Sequence, residues 1–252
     1  MVEFAFLDHP GPIPFAHRGG GGEWPENTMP AFEGAVRLGY RYVETDVHVT
    51  SDGALLAFHD DVLDRVTDHE GDIAKLPWEV VRTARVAGRE PIPLLEDLLG
   101  TFPDLRVNID PKHDAAVGPL VEVIEKHDAV DRVCIGSFSD KRVAALRKAL
   151  GPRLCTALGP KAVRRLVVAS RGIPAGRFGQ PCAQVPPTRG SVTVVNQRFL
   201  DAAHKRGIAV HVWTIDDAME MERLLDLGVD GIMTDRPAVL RAVLEGRGQW
   251  VS

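Results

Sequence analysis

The chain has 252 residues, 44% of them hydrophobic and 26% charged, with a formal net charge of -5 at pH 7. This balance excludes intrinsic disorder, and a mildly acidic total leaves no electrostatic footprint of nucleic-acid binding. No apolar run approaches the roughly 18 residues of a spanning helix. The start, MVEFAFLDHPGPIPFAHRGG, has no basic segment followed by an apolar one, and no interfacial amphipathic stretch stands out. The expectation is a cytoplasmic protein without stable membrane insertion.

In chain order, Ile13–His17 reads as a strand that runs into His17-Arg18-Gly19 and a glycine run. Thr28 reads as an N-cap, with Pro30 tolerated in the first turn, ahead of a helix whose Phe32, Ala35, Val36 and Gly39 share a face. Tyr42–Val49 is the second strand. Ser51–Pro93 does not fit a simple strand-to-helix loop. It holds another apolar run, Ala54–Phe58, and reads as an insertion between the second strand and its helix, and loops this long are usually functional. Further strands are expected at Arg106–Asp110, Arg132–Ile135, Leu154–Ala157, Cys182–Val185, Ala209–Thr214 and Gly231–Thr234. Between and after them, Val117, Leu120, Val121 and Ile124 share a helical face, and helices are expected at Asp140–Leu150, Pro160–Ser170, Gln197–Arg206, Ala218–Leu227 and Pro237–Glu245. A second long connection follows the sixth strand. Alternation of this kind implies a parallel sheet with right-handed crossovers. Eight units in about 250 residues predict an α/β fold, a single (β/α)8 TIM barrel over residues 1–252 with its insertion at 51–93. The rival is a doubly wound open sheet. Cys134, Cys155 and Cys182 are odd in number and lack a CxxC spacing, which argues against a disulfide framework and a zinc site. They read as buried small hydrophobes.

Active-site residues of such a barrel sit at the C-terminal ends of its strands. Glu44 and Asp46 are two apart in a strand, so they share a face about 6.5–7 Å apart. Paired carboxylates there repel unless one is protonated or a cation neutralises both, and hard oxygen ligands suit Mg²⁺ or Ca²⁺. The plain alternative is an exposed polar strand end. His48 falls on the same face but reads as a rim contact. His17 and His59 lie at element ends, where a histidine of near-neutral pKa can give or take a proton or can be structural. Arg18 and Lys112 bring positive charge suited to a phosphate. Trp213, at a strand end, is either a substrate contact or a core aromatic. Cation ligands, two histidines and two cations on one rim suggest chemistry on a phosphate ester.

With these residues in view, the chain resembles the glycerophosphodiester phosphodiesterase family. The resemblance rests on AHRGG at Ala16–Gly20, PENTMPAF at Pro25–Phe32, GYRYVETDVHVTSDGALLAFHDDVLDRVTD at Gly39–Asp68, IPLLEDLL at Ile92–Leu99, NIDPK at Asn108–Lys112, and VHVWTIDD with GVDGIMTDRP near the end. The HRG…ENT…E-x-D…HD pattern is specific and spans the chain. The resemblance implies a (β/α)8 barrel, an acid–base pair at His17 and His59, metal ligands at Glu44 and Asp46, phosphate contacts at Arg18 and Lys112, and Trp213 near the alcohol group. It also implies that the insertion caps the site. One position departs from the pattern: where many members carry a Glu two residues before the Lys, this chain has Asp110, a third metal ligand with a reach about 1.5 Å shorter.

The resemblance therefore implies hydrolysis of a small-molecule glycerophosphodiester to an alcohol and sn-glycerol 3-phosphate, with one divalent cation, Mg²⁺ or Ca²⁺, and Mn²⁺ as a further candidate. The rival within enzymes is a phospholipase D-like lyase on lysophospholipids that yields a cyclic phosphate. A related sphingomyelinase D-like branch also uses a shorter ligand set. From another class comes a non-catalytic phosphate-ester binding protein. A sugar-phosphate isomerase barrel would give no reason for the His59 insertion.

Overall fold

A computed structural model describes residues 4–251. Eight parallel strands build the centre: β1 (Ile13–Ala16), β2 (Tyr42–Val49), β3 (Arg106–Pro111), β4 (Val133–Ile135), β5 (Cys155–Thr156), β6 (Cys182–Val185), β7 (Ala209–Val212) and β8 (Gly231–Thr234). Their order is β5-β4-β3-β2-β1-β8-β7-β6. A parallel bridge between Ala157 and Cys182 brings the two ends of this order together, so the sheet is a nearly closed barrel and not an open doubly wound one. Around it lie α1 (Met29–Arg37), α2 (Leu95–Thr101), α3 (Val117–Lys126), α4 (Asp140–Leu150), α5 (Pro160–Ala169), α6 (Gln197–His204), α7 (Ala218–Leu227) and α8 (Pro237–Gly246).

The strands alternate between two apolar environments. Val43 and Val47 of β2 and Val107 and Ile109 of β3 face outward into a cluster with α1, α2 and α3. A second outer cluster joins β6, β7 and β8 to α6, α7 and α8, through residues such as Val210, Phe199, Leu224 and Leu240. The barrel interior has its own apolar floor, where Phe6, Phe15 and Tyr42 meet. Phe6 and Tyr42 pack edge to face at 5.4 Å, and the Tyr42 hydroxyl donates to the Phe6 carbonyl at 2.9 Å. The period of two along β2 then places Glu44, Asp46 and His48 on the inward face, closer to the C-terminal mouth.

Helix ends follow local chemistry. Asn196, Ser139 and Asp217 each accept a backbone N–H in the first turn of their helices, which satisfies donors that would otherwise be orphaned. Thr28 behaves differently from the expectation. It occupies the N-cap of α1, but its hydroxyl donates to the Pro25 carbonyl at 2.7 Å and accepts nothing from the helix. Pro30, in the first turn, has no N–H to offer, so half of the usual capping partners are missing. The first strand also ends one residue early: His17 begins a 3₁₀ turn that carries Arg18 and Gly19.

The insertion has a core of its own, including Leu56, Phe58, Leu63, Ile73, Val81 and Ile92. Leu55–Ala57 pairs antiparallel with the end of β2, from Val47 opposite Ala57 to Val49 opposite Leu55. This hairpin folds the chain back over the mouth and delivers His59. The stretch after β6 forms a short exposed hairpin, Thr188–Arg189 with Val192–Thr193. No described helix is long and apolar enough to cross a membrane.

Candidate active site

The HRGG turn sets the geometry of the mouth. Arg18, Gly19 and Gly20 have φ of 51°, 78° and 101°, a left-handed run that glycine adopts readily. A Cβ on Gly19 would come within 2.9 Å of Ala31, and one on Gly20 within 2.8 Å of Pro237. The turn aims the Arg18 N–H at Glu44, which accepts it at 3.2 Å. Asn27 locks the turn from behind: its N–H donates to the Arg18 carbonyl at 2.9 Å, and its side-chain oxygen accepts the Thr45 hydroxyl at 2.8 Å.

Strand register assembles the carboxylates. β2 pairs with β3 so that Asp46 lies opposite Asp110 and Glu44 opposite Asn108. Glu44, Asp46 and Asp110 are 5%, 2% and 8% exposed, so three carboxyl groups are withdrawn from water at one place. Lys112 Nζ sits between two of them, 2.6 Å from Asp46 and 2.9 Å from Asp110. Arg18 contacts Asp46 at 3.2 Å and Glu26 at 3.0 Å.

Burial and charge divide the titration of these groups. Burial and the neighbouring Asp46 charge push the Glu44 carboxyl up to about 7. Burial also acts on Asp46, but the Lys112 and Arg18 charges outweigh it and hold Asp46 below the usual carboxylate range. Burial raises Asp110 despite Lys112. Lys112 is desolvated, yet the two aspartates hold it above its ordinary value. Two carboxylates in close company cannot both ionise freely, and here Glu44 takes the strain.

Each histidine is clamped by a carboxylate through Nδ1. His17 Nδ1 lies 2.7 Å from Asp235 Oδ1, and its Nε2 lies 3.6 Å from Glu44. Burial alone would lower His17, but Glu44 and the Asp235 hydrogen bond more than offset it and keep the ring above its ordinary pKa. His59 Nδ1 lies 2.5 Å from Asp60 Oδ1. Asp60 is in turn held by Arg65, which also grips Glu26 with two donors. The hydrogen bond from Arg65, with a smaller one from His59, holds the Asp60 carboxyl at about 2. The Glu26–Arg65–Asp60 chain ties the insertion to the HRGG turn.

The residues singled out in the sequence thus fall in one mouth, with two differences from expectation. Arg18 and Lys112, read as cations for a phosphate, are both engaged by carboxylates. The three carboxylates read as metal ligands do not gather their oxygens around a common point. Among the described residues only the three cysteines bring three ligand atoms within 4.8 Å of one another. The ammonium of Lys112 stands between Asp46 and Asp110. Trp213 is half-buried at the rim and meets Phe138 edge-on at 5.9 Å, with Phe138 68% exposed. His48 donates to or accepts from no carboxylate within hydrogen-bond range; its Nε2 lies 3.0 Å from the His59 carbonyl and supports the insertion.

Four partners were given no role in the sequence reading, although Asp60 and Asp235 stood among its polar residues at strand ends. Asp60 follows His59 directly, Glu26 sits in the ENT segment, and Asp235 directly follows β8, so each had a positional signal. Arg65 had none, because its role depends on how the insertion folds back.

A family model, the glycerophosphoryl diester phosphodiesterase family, matches residues 17–239. The chain belongs to this family. It is an enzyme, a phosphoric diester hydrolase of the glycerophosphodiester class. A relative from Mycobacterium tuberculosis, named probable glycerophosphodiester phosphodiesterase 2, is 42% identical over 97% of this chain and 95% of its own. A solved structure from Silicibacter pomeroyi, of a protein whose name places it in the same family, superposes with a TM-score of 0.83 at 22% identity, covering 99% of this chain and 100% of that one. A phosphodiesterase from Oleispira antarctica, solved with the product sn-glycerol-3-phosphate, has a TM-score of 0.78 at 24% identity, covering 93% and 97%. At these identities the two structures bear on the barrel fold of the family member described here.

Proposed function

We propose that this chain hydrolyses glycerophosphodiesters to an alcohol and sn-glycerol 3-phosphate, with His17 and His59 as the proton-transfer pair and one divalent cation at Glu44, Asp46 and Asp110. The observation that carries the reading is the matched clamping of the two histidines. Asp235 and Asp60 each take an Nδ1, which fixes the tautomer and leaves Nε2 as the nitrogen free to exchange a proton. The product held by the Oleispira antarctica neighbour supports the same substrate class.

The donor set suits a hard cation. Asp46 Oδ2 and Asp110 Oδ1 are buried oxygens without a hydrogen-bond partner, and the third carboxyl, Glu44, is pushed up to about 7 by burial and the Asp46 charge. Carboxylate oxygens suit Mg²⁺ or Ca²⁺, and Mn²⁺ accepts the same ligands. When bound, such an ion supplies Lewis acidity to a phosphoryl oxygen and neutralises charge there.

The chain's own residues do the rest. Arg18 and Lys112, which line the same mouth, would offset charge on the phosphate. His17, held near Glu44, and His59, carried in by the insertion, flank this point from β1 and from the hairpin after β2. One takes a proton from the attacking water while the other gives one to the departing alcohol oxygen. Trp213 and Phe138 form an apolar wall at the rim for the alcohol part.

The test is release of sn-glycerol 3-phosphate from glycerophosphocholine, glycerophosphoethanolamine and glycerophosphoglycerol. It is run after chelation and again with Mg²⁺, Ca²⁺ or Mn²⁺ restored. Metal-dependent release is the expected result. No release from any of the three by folded, metal-loaded protein would sink the substrate assignment. A cyclic phosphate seen by phosphorus NMR would replace hydrolysis with the lyase reaction.

A further inference from the structure

Cys134, Cys155 and Cys182 come from three successive strands, β4, β5 and β6, and all point into the barrel. Register brings them together: Cys134 pairs with Cys155, and the bridge from Ala157 to Cys182 sets the third beside them. None is more than 1% exposed, and none is in a disulfide. Their sulfurs all lie within 4.8 Å of one another, with Cys134 and Cys182 at 3.9 Å. Sulfurs bound to a tetrahedral zinc at about 2.3 Å stand about 3.8 Å apart, so Cys134 and Cys182 have the spacing of two ligands on one ion, with Cys155 within 4.8 Å of both.

A fourth donor is at hand. His211, on β7 beside β6, is 0% exposed, and neither ring nitrogen has a hydrogen-bond partner. A buried polar ring left wholly unsatisfied calls for an explanation. Its ring lies 5.0 Å from that of Phe15 in the barrel floor. In register His211 stands opposite Gln184, two residues beyond Cys182 on the same strand.

This place is distinct from the mouth. Gln184 lies two residues beyond Cys182 on β6, and its amide donates to Asn108 at 2.7 Å, passing close to Gly136. Gly136 lies two residues beyond Cys134, so the amide bridge separates the thiols from the acidic cluster. We propose that Cys134, Cys155 and Cys182, with His211 as the fourth donor, form a structural site for one soft metal ion, zinc being the best fit. Three sulfurs and one imidazole match the ligand sets of closed structural zinc sites, whereas the oxygens of the mouth suit hard cations. Because the thiols are sealed from water, the ion enters as the chain folds.

The test uses the full chain, reduced, unfolded in chelator and refolded with one equivalent of Zn²⁺ or Cd²⁺, or with none. The expected result is one ion retained per chain through desalting. With Cd²⁺ it is accompanied by a sulfur-to-cadmium charge-transfer absorption. The chain has only these three cysteines, so that band cannot come from the carboxylates of the mouth. Cys155→Ser should lose both the band and the retained ion, whereas a Glu44→Gln and Asp46→Asn double variant should keep them. Absence of the band in refolded wild type, or its persistence in Cys155→Ser, would overturn the site. So would loss of two free thiols without metal, which would mark a disulfide instead. If Cys155→Ser fails to refold, the wild-type cadmium spectrum still decides.

Discussion

At the mouth of the barrel, His17, Arg18, Glu44, Asp46, Lys112 and Asp110 are linked in a chain of contacts, and two carboxylate oxygens are buried without a hydrogen-bond partner. At the floor, Phe6, Phe15 and Tyr42 pack ring against ring, with the one buried hydroxyl satisfied. The same strands build both. Phe15 and His17 are two residues apart on β1 and its turn, as are Tyr42 and Glu44 on β2. The period of two therefore hands the next inward position from a stabilising group to a reactive one. Buried charges are costly unless paired, so the mouth depends on the floor and the two outer clusters for the stability that it does not itself supply. This separation predicts that floor substitutions act on folding, whereas mouth substitutions act first on turnover.

Lys112→Met tests the point at which the two regions overlap. It leaves Asp110 buried without its cation and Asp46 with Arg18 alone, which should cost about 3 kcal/mol of stability in metal-free protein and abolish most activity. Urea unfolding in chelator reads the first effect and product release the second. Unchanged stability would mean that the carboxylates are already protonated or solvated.

Phe6→Ala should cost about 3–5 kcal/mol and leave kcat of the folded enzyme where it was. A fall in kcat at full folding would break the division between floor and mouth. His17→Ala and His59→Ala invert that pattern: each should lower kcat at least about 10²-fold with a smaller change in the unfolding midpoint than Phe6→Ala. Near-wild-type turnover in either variant would remove that histidine from proton transfer.

The pH dependence sharpens the comparison. Glu44 is pushed from its ordinary 4.5 up to about 7 in the fold, so its favourable contribution is complete below 4.5 and is lost as pH rises through about 7. His17, also raised, adds a contribution present below its ordinary 6.5 and lost as pH climbs past its folded value. Metal-free wild type should therefore lose stability between about pH 5 and pH 8. Glu44→Gln should lose less, so its unfolding midpoint gains on wild type as pH rises. Parallel curves for the two proteins would show that Glu44 does not carry the effect. The smallest change is expected from Phe138→Ala at the rim. Loss of one aromatic partner of Trp213 is worth about 0.5–1.5 kcal/mol, read as a KM increase of about 2- to 12-fold on substrates with bulky alcohols, kcat being unchanged.

Much of this was legible in the residues themselves. Alternating strand and helix patterns and a length near 250 residues point to the barrel, because a parallel sheet needs a crossover after every strand. HRG, E-x-D, HD and the NIDPK segment name the mouth, since the ends of barrel strands are where polar residues can face a cavity. The overlong connection at 51–93 marks the insertion. What the chain's order could not contain is who pairs with whom across it. That Lys112 stands between Asp46 and Asp110, that Arg65 reaches back to Glu26 and Asp60, and that Asp235 holds His17 from the far side of the barrel are results of register and closure. The three cysteines make the same point most sharply. Cys134, Cys155 and Cys182 have no metal-like spacing in sequence. Only the lateral pairing of β4, β5 and β6 carries their sulfurs to within 4.8 Å of one another, because a barrel places residues side by side by hydrogen-bond register and not by distance along the chain.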